Sequence, residues 1–227
     1  MSSASIFLLG ASTFALKTPD DLTVAEAIGV KLSSSFEFYS RNALRLSEVP
    51  QEIILKMKRA EFLVLHLGVM EFLPSLKKRL YPCLNVQKRN GFLYDIKYEP
   101  FPALAYFVNI YNRICFNLQL KLELCLMQEK PITLTDFLGK LILDPDSQIR
   151  QVFLLSPPPI KHPGSLEAIV NTLSEIDNVK AIFDCVSIID YMECSSQLNH
   201  DSTGHLKRIH RGTFSINVAV SIMRRIQ

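Results

Sequence analysis

Across residues 101–127 apolar side chains fall on nearly every side of a helical projection. Leu104, Phe107, Val108, Tyr111, Ile114, Cys115, Leu118, Leu122 and Cys125 follow the 3.6-residue repeat, while Phe116, Leu120 and Leu124 occupy the opposite side. A helix apolar all round is a buried helix. Asn109, Asn112 and Asn117 share that apolar setting, where an amide is costly unless hydrogen-bonded. With Tyr111, these asparagines are the candidate residues for latching neighbouring elements or lining a pocket.

The remaining pattern predicts elements on both sides of this helix. An apolar run over residues 6–16 is taken as structural, and Thr18-Pro19-Asp20-Asp21 as a turn. Thr23 and Glu26 form a capping box that opens a helix carrying Ala27, Ile28 and Leu32. Residues 36–46 read as helical, and residues 51–73 as one half-exposed helix entering the core. Asn90-Gly91 permits a hairpin around residues 84–98. A second box, Thr133 to Asp136, opens a helix with Leu134, Phe137, Leu138, Leu141 and Ile142 on one face.

Further on, residues 149–155 suit a buried strand, Ser165 caps a helix, and residues 179–189 read as another strand. Phe214, Ile216, Val218, Val220 and Ile222 alternate with smaller or polar residues and predict a half-buried strand. The polar residues 195–212 become a loop. The expected fold class is therefore α+β: predominantly helical through the N-terminal two-thirds, with a small mixed sheet in the C-terminal third, in one domain spanning residues 1–227.

Composition narrows the functional classes. The chain is 48% apolar and 21% charged, a globular balance, and its net charge of +3 is too small to imply nucleic acid or an acidic membrane. Its five cysteines include no CxxC pair, and those in apolar segments fit reduced thiols packed in a core. Asn109, Asn112, Arg113 and Asn117 interrupt the best transmembrane candidate. A cytoplasmic protein is the expectation.

Motifs for phosphate or dinucleotide binding are missing, as are HExxH and GxSxG. His200, His205 and His210 lie near Cys194, but their spacing matches no usual zinc set. No metal and no cofactor is therefore assigned. Cys115 and His162 could be imagined as nucleophile and base, yet an apolar setting raises a thiol's pKa and leaves it inert. Lys207, Arg208 and Arg211 form a basic cluster able to contact a partner. Without interleaved aromatic residues to stack bases, nucleic acid is a weak candidate for that partner.

The run Ala105-Tyr106-Phe107-Val108-Asn109-Ile110-Tyr111-Asn112 resembles the Ala-Phe-Trp-Ile-Asn-Ile-Tyr-Asn hallmark of a domain-of-unknown-function family, number five-four-seven. The similarity extends over about residues 100–160. That resemblance implies a divergent copy, since Asn117 stands where the family usually has His, and Ser156-Pro157-Pro158-Pro159 where it often has Ser-Cys-Pro-Pro. It supplies no activity. The expected function is a non-catalytic intracellular interaction protein with an unknown protein partner and no catalytic residue assigned. The alternatives are a divergent hydrolase- or transferase-like enzyme with a pocket lined by the asparagines, or a nucleic-acid binder using residues 207–211.

Overall fold

A computed structural model describes residues 5–32, 35–41, 44–66, 88–89, 92–93, 114, 132–159, 165–201 and 204–226. Its framework is a five-stranded parallel sheet. The strands are β1 (Ile6–Gly10), β2 (Phe36–Ser40), β3 (Phe62–His66), β6 (Gln151–Leu155) and β7 (Val186–Ile189), in the order β2-β1-β3-β6-β7. Two two-residue strands, β4 (Lys88–Arg89) and β5 (Phe92–Leu93), pair antiparallel apart from this sheet.

Seven helices accompany the strands among the described residues. They are α1 (Ser12–Ala15), α2 (Val24–Leu32), α3 (Gln51–Arg59), α4 (Leu134–Ile142), α5 (Ser165–Ile182), α6 (Tyr191–Ser195) and α7 (Arg208–Ile226).

Strand alternation sorts the core into two layers. Phe7, Leu9, Leu63, Leu65, Val152 and Leu154 pack with Ile53 and Met57 of α3, Leu134, Phe137, Leu138 and Leu141 of α4, and Ile176 and Val179 of α5. The intervening residues Ile6, Leu8, Val64, Phe153 and Leu155 pack with Val24, Ala25 and Ile28 of α2 and with Phe214, Val218, Ala219 and Ile222 of α7. A parallel sheet covered on both faces needs apolar side chains at every position of its central strands. The runs Ile6-Phe7-Leu8-Leu9 and Val152-Phe153-Leu154-Leu155 supply them.

This architecture corrects the α+β expectation, because strands are spread along the chain and the five-stranded sheet is parallel. A continuous apolar run cannot be told from a buried helix by periodicity alone. Residues 51–66 therefore divide into α3 and β3, with Ala60 as the C-cap between them, where one helix over 51–73 was expected; residues 36–46, expected helical, contain β2, a half-exposed edge strand.

The reverse error occurs at the C-terminus, where the alternating segment is part of α7. Phe214, Val218 and Ile222 are spaced i, i+4 and i+8, so they form a buried helical stripe, while Ile216 stands exposed. Alternation and helical spacing coincide at every fourth residue.

The first predicted capping box forms in full, and the second forms its N-cap half. The Glu26 N–H donates to Thr23 Oγ1 at 3.1 Å and the Thr23 N–H to Glu26 Oε2 at 2.6 Å. The Asp136 N–H donates to Thr133 Oγ1 at 2.9 Å. The strand predicted at 149–155 is β6, while residues 179–189 contain the end of α5 and then β7. Of the central apolar segment only Ile114 is described, and it is helical.

Candidate active site

In an open parallel sheet, ligands bind beyond the carboxyl ends of the strands, where the chain leaves successive strands in opposite directions. Here that switch point lies between β1 and β3: the chain leaves β1 for β2 on one side, then returns to add β3 on the other. Gly10 ends β1. A Cβ on Gly10 would lie 2.3 Å from the Phe14 ring, so only glycine allows α1 to turn back so tightly. The Ala11 N–H donates to the His66 carbonyl at 3.0 Å and ties this turn to the end of β3. Ser12, the first residue of α1, thus stands at the carboxyl edge of the sheet.

Strand β7 leads into α6 at the same edge. Ser156 Oγ donates to Asp190 Oδ1 at 3.2 Å and accepts the Tyr191 N–H at 2.8 Å. Asp190 caps α6 by accepting the Met192 N–H at 2.8 Å. These bonds fix Tyr191 in the interior, where its ring centroid lies 4.9 Å from Phe214, 6.1 Å from His200 and 6.4 Å from His66.

The polar segment after α6 closes over this interior as a folded turn. The Asp201 N–H donates to the His205 carbonyl at 2.7 Å, and Asp201 Oδ1 accepts the His205 N–H at 3.1 Å. Gly204 completes the turn at φ 87°, a left-handed conformation that favours glycine. A bridge between His200 and Leu206 sets its base.

Arg211 then fastens the turn to the segment that follows α1. Its Nε donates to the Leu206 carbonyl at 3.0 Å and its Nη1 to the Lys17 carbonyl at 2.8 Å. Arg208 adds a bond from Nε to the Thr18 carbonyl at 3.1 Å and an ion pair with Asp21. The residue beside His205 is thereby clamped to a residue close in sequence to Ser12.

Burial governs the electrostatics. The His205 pKa is held below its ordinary value by burial, with Asp201 opposing and Arg211 and His200 reinforcing the shift. His66 is pushed further down, to about 4, by burial and then by His205. Both imidazoles are consequently neutral near pH 7, the state a general base requires. Burial raises the Tyr191 hydroxyl, which stays protonated.

Several sequence-derived candidates take other places. Asn109, Tyr111, Asn112 and Asn117 lie outside the described residues, as do Cys115 and His162. Arg208 and Arg211 spend donors on the chain's own carbonyls, while Lys207 is exposed. No group of three His, Cys, Asp or Glu able to hold a metal occurs among the described residues. Ser12 and the Asp201–His205 turn escaped notice in the sequence. Their only signals were Gly10-Ala11-Ser12 directly after an apolar run, and an Asp four residues before a His with Gly between.

No protein-family model matches the chain, and no curated protein matches it in sequence. Solved structures do match. A catalytic mutant of Axe2, an acetylxylan esterase from Geobacillus stearothermophilus, superposes with a TM-score of 0.53 at 10% identity, covering 98% of this chain and 94% of that one. A second catalytic mutant of the same esterase, with serine changed to alanine, gives 0.52 at 10% identity over the same shares. A carbohydrate esterase family 2 enzyme from Corynascus thermopiles gives 0.49 at 12% identity, covering 98% of this chain and 66% of that one.

The chain thus shares its α/β fold, a parallel sheet covered by helices, with the Axe2 esterase structures. The expectation of a non-catalytic interaction protein rested on finding no nucleophile and base that converge. The solved structures whose fold this chain shares are esterases, and that finding sets the expectation aside. No helix among the described residues is long and apolar enough to cross a membrane.

Proposed function

We propose that the chain is a serine hydrolase that cleaves an ester by acyl transfer. Ser12 is the nucleophile, His205 the general base and Asp201 the carboxylate that orients the histidine turn. Their chain order, Ser, then Asp, then His, is one of several in which this constellation works on unrelated folds. The observation that carries the reading is the Arg211 clamp, which ties the carbonyls of Leu206 and Lys17 together at the sheet's switch point.

In the proposed reaction His205 takes the Ser12 hydroxyl proton as Oγ attacks the ester carbonyl, then returns it to the leaving alcohol. Water next attacks the acyl-enzyme as His205 takes its proton; the acyl–Oγ bond breaks, the acid leaves and the proton passes from His205 to Ser12 Oγ. Asp201 steadies the imidazolium formed in each half-reaction.

The acetylxylan esterase title of the structural neighbour supports an acetylated carbohydrate as the first substrate to try. The free thiols of Cys185 and Cys194 support a reducing compartment such as the cytoplasm. Of the basic cluster Lys207, exposed beside the clamp, is the proposed contact for a partner.

A fluorophosphonate probe, which modifies activated serines covalently, tests the assignment. The wild-type chain should label at Ser12 by peptide mapping and turn over p-nitrophenyl acetate. Ser12→Ala should lose the label and about 10³-fold or more in kcat. Labelling at another serine, or full turnover by Ser12→Ala, would remove the proposal.

A further inference from the structure

Beneath the candidate site, polar atoms are buried without a protein partner. They include both ring nitrogens of His66, the Tyr191 hydroxyl and His200 Nε2, each almost wholly hidden from solvent. Native interiors rarely leave such atoms unpaired, because each costs roughly 1–3 kcal/mol. The Tyr191 ring neighbours both histidines, its centroid 6.4 Å from that of His66 and 6.1 Å from that of His200. Phe14 packs on His66 at 5.5 Å and supplies an apolar wall.

The chemistry of these groups defines what fits. A neutral imidazole offers one donor and one acceptor, and a phenol offers both. Burial holds His66 in that neutral form. Arg211, the nearby cation, already donates to the Leu206 and Lys17 carbonyls. A small uncharged partner with donors and acceptors would satisfy these buried atoms. Water meets each condition.

We propose that His66 is a positioning residue of the hydrolase: with Tyr191 and His200 it forms a buried polar pocket that takes internal water and through it holds the His205 turn. The inference rests on the hydrolase reading. The placement supports it residue by residue. His66 accepts the Ala11 N–H on its carbonyl, next to Ser12, and lies close enough to His205 for their charges to interact. His200 immediately precedes Asp201 and bridges to Leu206. His66 and His200 therefore each sit one step from a proposed catalytic residue without being one, and Tyr191 packs against both rings.

Two substitutions separate positioning from simple space-filling. His66→Gln keeps a donor and an acceptor, whereas His66→Leu keeps only bulk. With p-nitrophenyl acetate, His66→Leu should lower kcat by about 10²-fold with little change in KM, the loss a misplacement of about 1 Å brings. His66→Gln should recover most of that loss. Equal activities in two folded variants would overturn the positioning role.

Because His66→Leu can fail to fold, the wild-type protein supplies a second measurement. A high-resolution crystal structure should show ordered water bonded to His66 and Tyr191, and ring ¹⁵N shifts should show one hydrogen-bonded neutral tautomer. A dry pocket would overturn the proposal. Wild-type protein with neither fluorophosphonate labelling nor ester turnover would instead sink the hydrolase reading and the positioning role with it, while the water density would still decide the pocket.

Discussion

The two faces of the sheet are built from alternate residues of the same strands, yet they differ in kind. On the face covered by α3, α4 and α5, none of the buried side-chain polar atoms among the described residues lacks a partner. The one buried hydroxyl of α5, Thr172 Oγ1, donates to the Ala168 carbonyl at 2.7 Å. On the face covered by α2, α6 and α7 lie Thr13, His66, Tyr191, Ser195 and His200, each with a buried polar atom that has no protein partner. His66 follows Val64 on that face by strand alternation, so a histidine occupies a position where the core pattern asks for an apolar residue. One layer holds the fold together, and the other tolerates buried polarity beside a site.

The contrast breaks most visibly in the apolar layer. Leu63→Ala or Leu65→Ala, both fully buried, should cost about 2–5 kcal/mol in a denaturant melt, because a transfer loss and a cavity add. The folded fraction should keep its activity per molecule. A loss of specific activity exceeding the loss of folded protein would show that the two faces are coupled.

The polar layer should instead respond to pH. His66 has an ordinary value of 6.5 and a folded value of about 4, so between these values the unfolded chain binds more protons than the folded one. Stability is then fully present above about pH 6.5 and falls as the pH drops through the folded value, by roughly 3 kcal/mol for this group. His205 shifts in the same direction and adds to the slope. Melts of His66→Gln across that window should be flatter than wild type, whereas an unchanged slope would assign the acid sensitivity elsewhere.

Smaller effects sharpen the boundary between fold and site. Arg211→Ala removes donors from two carbonyls in the clamp and should cost about 1–3 kcal/mol. Activity should fall further than stability alone explains. Thr133→Ala, at a helix start on the apolar face, should cost about 1 kcal/mol and leave activity untouched.

Local chemistry was legible in the sequence, and long-range assembly was not. Thr23, Glu26 and Thr133 announce helix starts because capping depends on residues three apart. The buried strands announce only apolarity, which a helix shares, so β1 passed as an unassigned run and β3 as helix; β2, a half-exposed edge strand, passed as helix with the residues after it. The alternation from Phe214 to Ile222 was real but shared its spacing with a helical stripe. At the site, residues 195–212 read as a solvated loop because its polarity is local. The bonds from Arg208 and Arg211 that pin it span about 190 residues, and no window of sequence displays them.

The central claim is that Ser12 and His205 act as one unit at the carboxyl edge of the sheet. The most direct test measures kcat for p-nitrophenyl acetate in the wild type, in Ser12→Ala, in His205→Ala and in the double variant. Groups that share one proton transfer lose nearly everything with the first removal. The account predicts that each single variant loses about 10³-fold or more and that the double variant is no worse than either. Losses that multiply in the double variant, or a His205→Ala chain that retains wild-type turnover, would contradict it.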